Sequence, residues 1–227
     1  MTPPPQVRRA VAGDIPELAR MLARAFFDDP VACWAYPPAR QRPRALERFQ
    51  ATRLRQLLVH EEVWTTEDLA CAALWAPPGH FHATLRETAE IVPAFAHPRL
   101  WPRIPLAAVG WDRLERSHPR SPPHFYLAVL GTDPASQGRG LGSAVLGGVL
   151  EQCDGNAGAA HPESAREVET NRYAGMPCYL ESSKERNISF YERFGFQVLE
   201  EIKLLRGPPM WKMWRDPPVL AGAAPAR

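Results

Sequence analysis

No run in this 227-residue chain approaches the roughly 20 apolar residues that a membrane-crossing helix needs, so no span is expected. Charge of one sign is missing too: 27 Lys and Arg face 25 Asp and Glu, leaving a formal net charge of +2. Such a balance offers no basic field for nucleic acid. Cysteine is sparse. Cys33, Cys71, Cys153 and Cys178 are scattered, with no Cys-x-x-Cys or His-paired spacing. That argues against a metal site and for reduced, mostly buried thiols of a cytoplasmic protein. The opening Met-Thr-Pro-Pro-Pro lacks an apolar signal core. What is present is a 45% apolar fraction, enough for one sizeable core.

The most informative stretch is 126–142, Tyr-Leu-Ala-Val-Leu-Gly-Thr-Asp-Pro-Ala-Ser-Gln-Gly-Arg-Gly-Leu-Gly. An apolar strand stops at Asp133-Pro134, a loop carries Gly138, Gly140 and Gly142, and an apolar-periodic helix follows. A glycine turn at a helix start leaves backbone N–H groups free where the macrodipole is positive, which suits a diphosphate. A dinucleotide fingerprint would need a glycine at Ser143, and a P-loop would need Lys-Ser/Thr after Gly142; neither is there. A second motif lies at 178–196, where strand-like Cys178–Leu180 gives way to a polar turn and a short helix ending at Gly195. Asn187 and Tyr191 are four apart and share one face of that helix.

Gln137-x-x-Gly140-x-Gly142, then Asn187-x-x-Phe190-Tyr191 and Gly195-Phe196, resemble the two acetyl-CoA segments of the GNAT N-acetyltransferase superfamily. Gln-Gly-Arg-Gly-Leu-Gly-Ser-Ala-Val, Leu-Glu-Ser-Ser and Arg206-Gly207-Pro208-Pro209-Met210-Trp211 are similar to its puromycin N-acetyltransferase group. The likeness runs over about 6–216 but is specific only in roughly 122–150 and 177–215. It implies an α/β fold: a mixed, mostly antiparallel sheet with helices on both faces and a splayed central strand pair.

Periodicity predicts the same order of elements. A strand at 6–11 and a helix capped by Asp14 are followed by a turn-rich segment over 27–38. A helix over 40–61 precedes a hairpin of Val63–Thr66 and Ala70–Ala76, and two short helices lie at 84–96 and 104–116. After the two motifs, Val198–Leu205 and Met210–Arg215 alternate as antiparallel strands. One domain is expected over 6–216, with a disordered start at 1–5 and a flexible tail at 217–227. A loop insertion at 154–176, with a helical turn at 166–171, is long for a compact domain.

The resemblance implies acetyl-CoA as cosubstrate, with no metal, and a direct transfer of its acetyl group to an amine. Backbone amides of Arg139, Gly140, Leu141, Gly142 and Ser143 would hold the diphosphate, with Gln137 and Gly138 in the same cofactor-binding loop, and the strand edge Leu130, Gly131 and Thr132 would pair with the pantetheine arm. Arg139 is either a charge on the phosphates or a solvated arginine. Asn187 bonds the pantetheine or the local backbone, or caps its helix. Tyr191 is the general acid: a phenol stays protonated at neutral pH and can serve a departing thiolate. Glu181, at the end of its strand, is the leading base, with Asp28, Asp29 and Glu47 as alternatives and His124 as an edge residue. Phe26, Phe27, Trp34, Tyr36, Phe81, Trp101 and Trp111 are candidate acceptor walls or core. The expected partner is a small amine, such as an aminonucleoside or antibiotic-like amine, for a monomer or homodimer. A peptide amine and a non-catalytic acetyl-CoA sensor are the other readings.

Overall fold

The structure, a computed structural model, describes residues 5–155 and 173–218. Seven strands form one sheet in the order β1-β2-β3-β4-β5-β7-β6. They are β1 Val7–Arg9, β2 Val63–Thr66, β3 Cys71–Ala76, β4 Phe125–Thr132, β5 Cys178–Ser182, β6 Gln197–Lys203 and β7 Pro209–Arg215. Only the β4–β5 pair is parallel among the described strands. The mixed, mostly antiparallel sheet is thus the expected one.

Helices cover both faces. α1 (Ile15–Ala25) and α3 (Arg42–Leu58) pack one side, burying Leu18, Met21, Leu22, Leu54 and Leu57 against Ala72, Leu74 and Val129. α6 (Leu141–Cys153) packs the other, setting Val145, Leu146 and Val149 against Trp75, Phe125 and Leu127. α7 (Ile188–Glu192) joins that side through Tyr191 and Phe196. Each fully buried Leu or Phe contributes about 1.5–3 kcal/mol to holding helices on the sheet. Gly131 lets α1 come close: a Cβ there would stand 2.6 Å from Leu22 Cδ2.

The turn-rich reading of 27–38 is corrected. Pro30–Ala35 forms a short helix, α2, because the Asp29 carboxylate accepts from the Val31 and Ala32 amides (2.9 and 3.2 Å) and Pro30 preorganises the first turn. The predicted helix at 84–96 is shorter, α4 being Leu85–Ile91, with 3₁₀ turns over Val92–Phe95 and Pro98–Arg103, where prolines interrupt the ladder. α5 then spans Ile104–Ser117. Residues 156–172 of the anticipated insertion, including its helical turn, lie outside the described residues, as do 1–4 and 219–227 of the two ends. The four cysteines are free thiols.

Candidate active site

The loop between β4 and α6 is fixed from outside and open within. Asp133 accepts from the Ala135 amide (3.1 Å) and from Arg24 of α1 (2.6 Å), pinning the turn. Gly138 and Gly140 take left-handed φ values of 76° and 78°, and no atom lies within 4 Å of where a Cβ would stand. Gly140 is the N-cap of α6. The first amides of α6, those of Leu141, Gly142 and Ser143, therefore head a helix with no capping side chain over them. Gln137 turns back, its amide donating to the Thr132 carbonyl at 3.4 Å, and Leu141 is buried in the core. Arg139 is exposed; its charge is felt by Asp68. Open space, free amides and left-handed glycines together fit a diphosphate.

Beside this loop the sheet forks. β4 and β5 pair only at Phe125↔Cys178, Tyr126↔Tyr179 and Leu127↔Leu180. Beyond that rung β5 stays with β7 (Glu181↔Lys212, Ser182↔Trp211), while β4 stays with β3 (Leu130↔Ala73, Gly131↔Ala72, Thr132↔Cys71). The β3–β4 register slips at Ala128, a bulge that bends β4 away where the fork begins. Leu130 to Thr132 thus have a strand edge without a strand partner, which an extended arm could pair with.

Tyr191 and Glu181 flank the fork on opposite faces. α7 sits over the glycine loop: a Cβ on Gly142 would touch Phe190 Cζ at 3.4 Å and Thr132 Oγ1 at 3.9 Å. Gly195 has φ 84°, and the Phe196 amide returns to the Tyr191 carbonyl (3.3 Å), ending the helix as anticipated. Tyr191 is 7% exposed in the α6-side cluster. Burial first, then the charges of Asp29 and Cys71, push its phenol above the ordinary value, so it stays protonated. Asn187 is the N-cap residue of α7, yet its side chain makes no capping bond.

Glu181 is the first residue past the last β4–β5 rung. Its side chain is only 2% exposed, and Oε1 has no hydrogen-bond partner. It lines a cleft with Arg53 of α3, Phe81, Trp111 and His118 of the α5 region, and Tyr126 of β4. Tyr126 and Tyr179 both face the carboxylate; burial, then Glu181, holds each phenol well above its ordinary value. His118 Nδ1 lies 3.6 Å from Glu181 Oε1. On its other side, His118 Nε2 is 3.0 Å from His124 Nε2, and His124 Nδ1 is 2.8 Å from the Pro122 carbonyl. A carbonyl only accepts, so His124 carries its proton on Nδ1. His118 then donates from Nε2, which leaves the lone pair of its Nδ1 facing Glu181. Burial keeps His124 neutral by pulling its pKa below the ordinary value.

The other proposed bases are engaged elsewhere. Asp28 pairs with Lys184 (2.7 Å); Asp29 caps α2 and accepts from Ser183. Together they tie the α1–α2 turn to the loop after β5. Glu47 lies apart, in a second cleft with Arg20, Arg24 and Phe27. Among the aromatics, Phe81 and Trp111 wall the Glu181 cleft, whereas Tyr36 packs on Phe95 and Trp34 under Gly110 and Gly207. Trp101 is 58% exposed and does not line it. His118 and Arg53 are among the cleft residues that escaped sequence reasoning. His118 could have been noticed as the partner of His124 across a proline-rich turn. Arg53 stands on the inward stripe of α3, with Leu46, Phe49 and Leu57, where a charge is out of place.

A forked, mostly antiparallel seven-stranded sheet with a glycine loop on one arm and a tyrosine helix behind it is the fold of the GNAT N-acetyltransferases. Among solved structures, the chain is similar to a histone acetyltransferase HPA2-related acetyltransferase of Corynebacterium glutamicum: TM-score 0.65, 23% identity, covering 96% of this chain and 99% of that one. It also resembles Drosophila melanogaster polyamine N-acetyltransferase (TM-score 0.51, 15% identity, 92% and 98% covered). A third is arylalkylamine N-acetyltransferase 2 of Aedes aegypti (0.52, 11%, 94% and 99%). In sequence it is 25% identical over 228 residues to an uncharacterized N-acetyltransferase of Schizosaccharomyces pombe, covering 92% of this chain and 83% of the relative. No protein-family model matches. Fold and sequence likeness agree on an acetyltransferase enzyme. Among the described residues no helix is long and apolar enough to cross a membrane, and no three His, Cys, Asp or Glu side chains form a metal cluster.

Proposed function

We propose that this protein is an acetyl-CoA-dependent N-acetyltransferase of small-molecule amines, with Glu181 as base and Tyr191 as acid. The observation that carries this reading is Glu181 itself: a buried carboxylate, unpaired at Oε1, at the mouth of the β4–β5 fork and inside an aromatic cleft. An unpaired buried acceptor costs about 1–3 kcal/mol, which a bound ammonium would offset.

Acetyl-CoA supplies an acyl group activated as a thioester. The amides of Gly138 to Ser143 and the edge of Leu130 to Thr132 would seat it with the acyl group at the fork. Glu181 takes a proton from the substrate ammonium, and His118 can share it. The freed amine attacks the carbonyl carbon; a C–N bond forms as the C–S bond breaks. Tyr191 gives the departing sulfur a hydrogen bond and its proton, and regains one from solvent. Positioned acid–base groups of this kind typically contribute about 10²–10⁴-fold.

A small acceptor is favoured over a peptide because the cleft, lined by residues of α3, α5, β4, β5 and the segment around Phe81, is small, about 30 Å³. The polyamine and arylalkylamine names of two fold neighbours accord with this reading. Thiol release from acetyl-CoA across small amines and amino-terminal peptides tests it. Turnover with small amines supports the proposal; turnover with peptides alone rejects the acceptor class.

A further inference from the structure

Arginine side chains that lose their water need acceptors. Among the described residues three are buried to a similar degree, Arg42, Arg53 and Arg215, at 8%, 8% and 7% exposure. Arg42 donates to three carbonyls, those of Tyr36, Phe27 and Pro37, at 2.8 to 3.1 Å. Arg215 pairs with Asp154 at 2.7 Å and donates to the Phe194 carbonyl. Arg53 has one neutral partner: Nη1 donates to Gln56 Oε1 at 2.9 Å. It makes no ion pair within 4.0 Å among the described residues.

Glu181 lines the same cleft but makes no ion pair with Arg53; the other acids around it are committed elsewhere. Glu87 closes a capping box on Thr84 (2.7 and 2.8 Å), Glu90 accepts from Gln56 and Arg86, and Glu115 on the cleft wall meets His82 at 3.2 Å. Gln56 is itself held by the Glu87 carbonyl (3.0 Å), which orients the one acceptor that Arg53 uses. Arg53 feels the charge of Glu87 but makes no ion pair among the described residues, and a buried guanidinium without a close counter-ion is costly to the fold. That guanidinium lines the same cleft as Glu181, with the Tyr126 phenol coupled to both.

We infer that Arg53 is the seat for an anionic group on the acceptor, so the substrate is an amine that also carries a carboxylate or phosphonate: an amino acid or a close analogue with an apolar or aromatic body. The inference rests on the reading of the Glu181 cleft as the acceptor site. The ammonium end goes to Glu181, the anion to Arg53 and the apolar body to Phe81 and Trp111. A forked guanidinium binds a planar carboxylate through two parallel hydrogen bonds, which a lysine could not reproduce.

The test is thiol release by the full chain with α-, β- and γ-amino acids bearing a phenyl group, each beside its primary amide and its decarboxylated amine. At least one acid should exceed its amide at least about tenfold in kcat/KM, the usual worth of a charged hydrogen bond. In Arg53→Gln that preference should fall toward unity with KM for acetyl-CoA unchanged. If every amide equals or exceeds its acid, the anion seat is wrong while acetyl transfer stands. If no amine of any kind releases thiol above the blank, both fail. Should Arg53→Gln not fold, inhibition of the unaltered protein decides: 3-phenylpropionate should inhibit at least about tenfold better than 3-phenylpropanamide, and equal inhibition overturns the inference.

Discussion

Glu181 Oε1 lies 3.6 Å from His118 Nδ1, and Glu181 is the first residue beyond the rung at which β4 and β5 part. The carboxylate is sheltered by the cleft walls, while the imidazole links it to His124 and the Pro122 carbonyl. In the proposed reaction this pair receives the proton that an amine must lose before it can attack.

Replacing Glu181 by Gln keeps the shape and removes the proton acceptor. We expect kcat/KM to fall about 10²–10⁴-fold with acetyl-CoA affinity kept. KM for acetyl-CoA should not move with it. An unchanged kcat/KM would assign the base to another group.

Tyr191→Phe tests the other side of the fork. The expected loss is in kcat, about 10²-fold, with KM for the amine little changed. Because the phenol is held protonated far above neutrality, wild-type rates should show no alkaline fall attributable to Tyr191 below pH 9 or so.

The glycines separate folding from binding. Gly148→Ala would drive a Cβ to 2.4 Å from the buried Trp64 ring and should cost about 1–3 kcal/mol in denaturant unfolding. Gly140→Ala meets open space but takes a left-handed φ, so about 1–2 kcal/mol is expected, together with weaker coenzyme binding by calorimetry. Loss of binding in Gly148→Ala at full stability would contradict this division.

Stability should fall as the solution is acidified from pH 7 to 5. His124 has a folded-state pKa below its ordinary 6.5, so the unfolded chain binds its proton first. The stabilisation from neutral His124 is complete above about 6.5 and is lost as pH drops toward the folded value. Glu62, whose carboxyl burial raises, opposes this trend only nearer its own range. A thermal midpoint that stays level from pH 7 to 5, or that His124→Gln leaves just as pH-dependent, would argue otherwise.

The strands and helices around the two motifs were legible because local chemistry speaks there. A continuous apolar run marked β4, alternation marked β7, and Gly195 with Phe196 marked the end of α7. α2 was missed because its stop-and-start signals, Asp29 and Pro30, also suit a turn; a buried cap decides for helix. The loop, edge, tyrosine and glutamate that sequence singled out come together around one fork. Arg53 and His118 could not be placed without it, since their meeting depends on α3, α5 and β5 converging over separations of more than 60 residues, which no local pattern encodes.

The most direct test is a crystal structure of the protein with coenzyme A. The account predicts the diphosphate on the amides from Gly138 to Ser143, the pantetheine along Leu130 to Thr132, and the sulfur between Tyr191 and the Glu181 cleft. A diphosphate bound away from the glycine loop, or a sulfur remote from Tyr191, would contradict it.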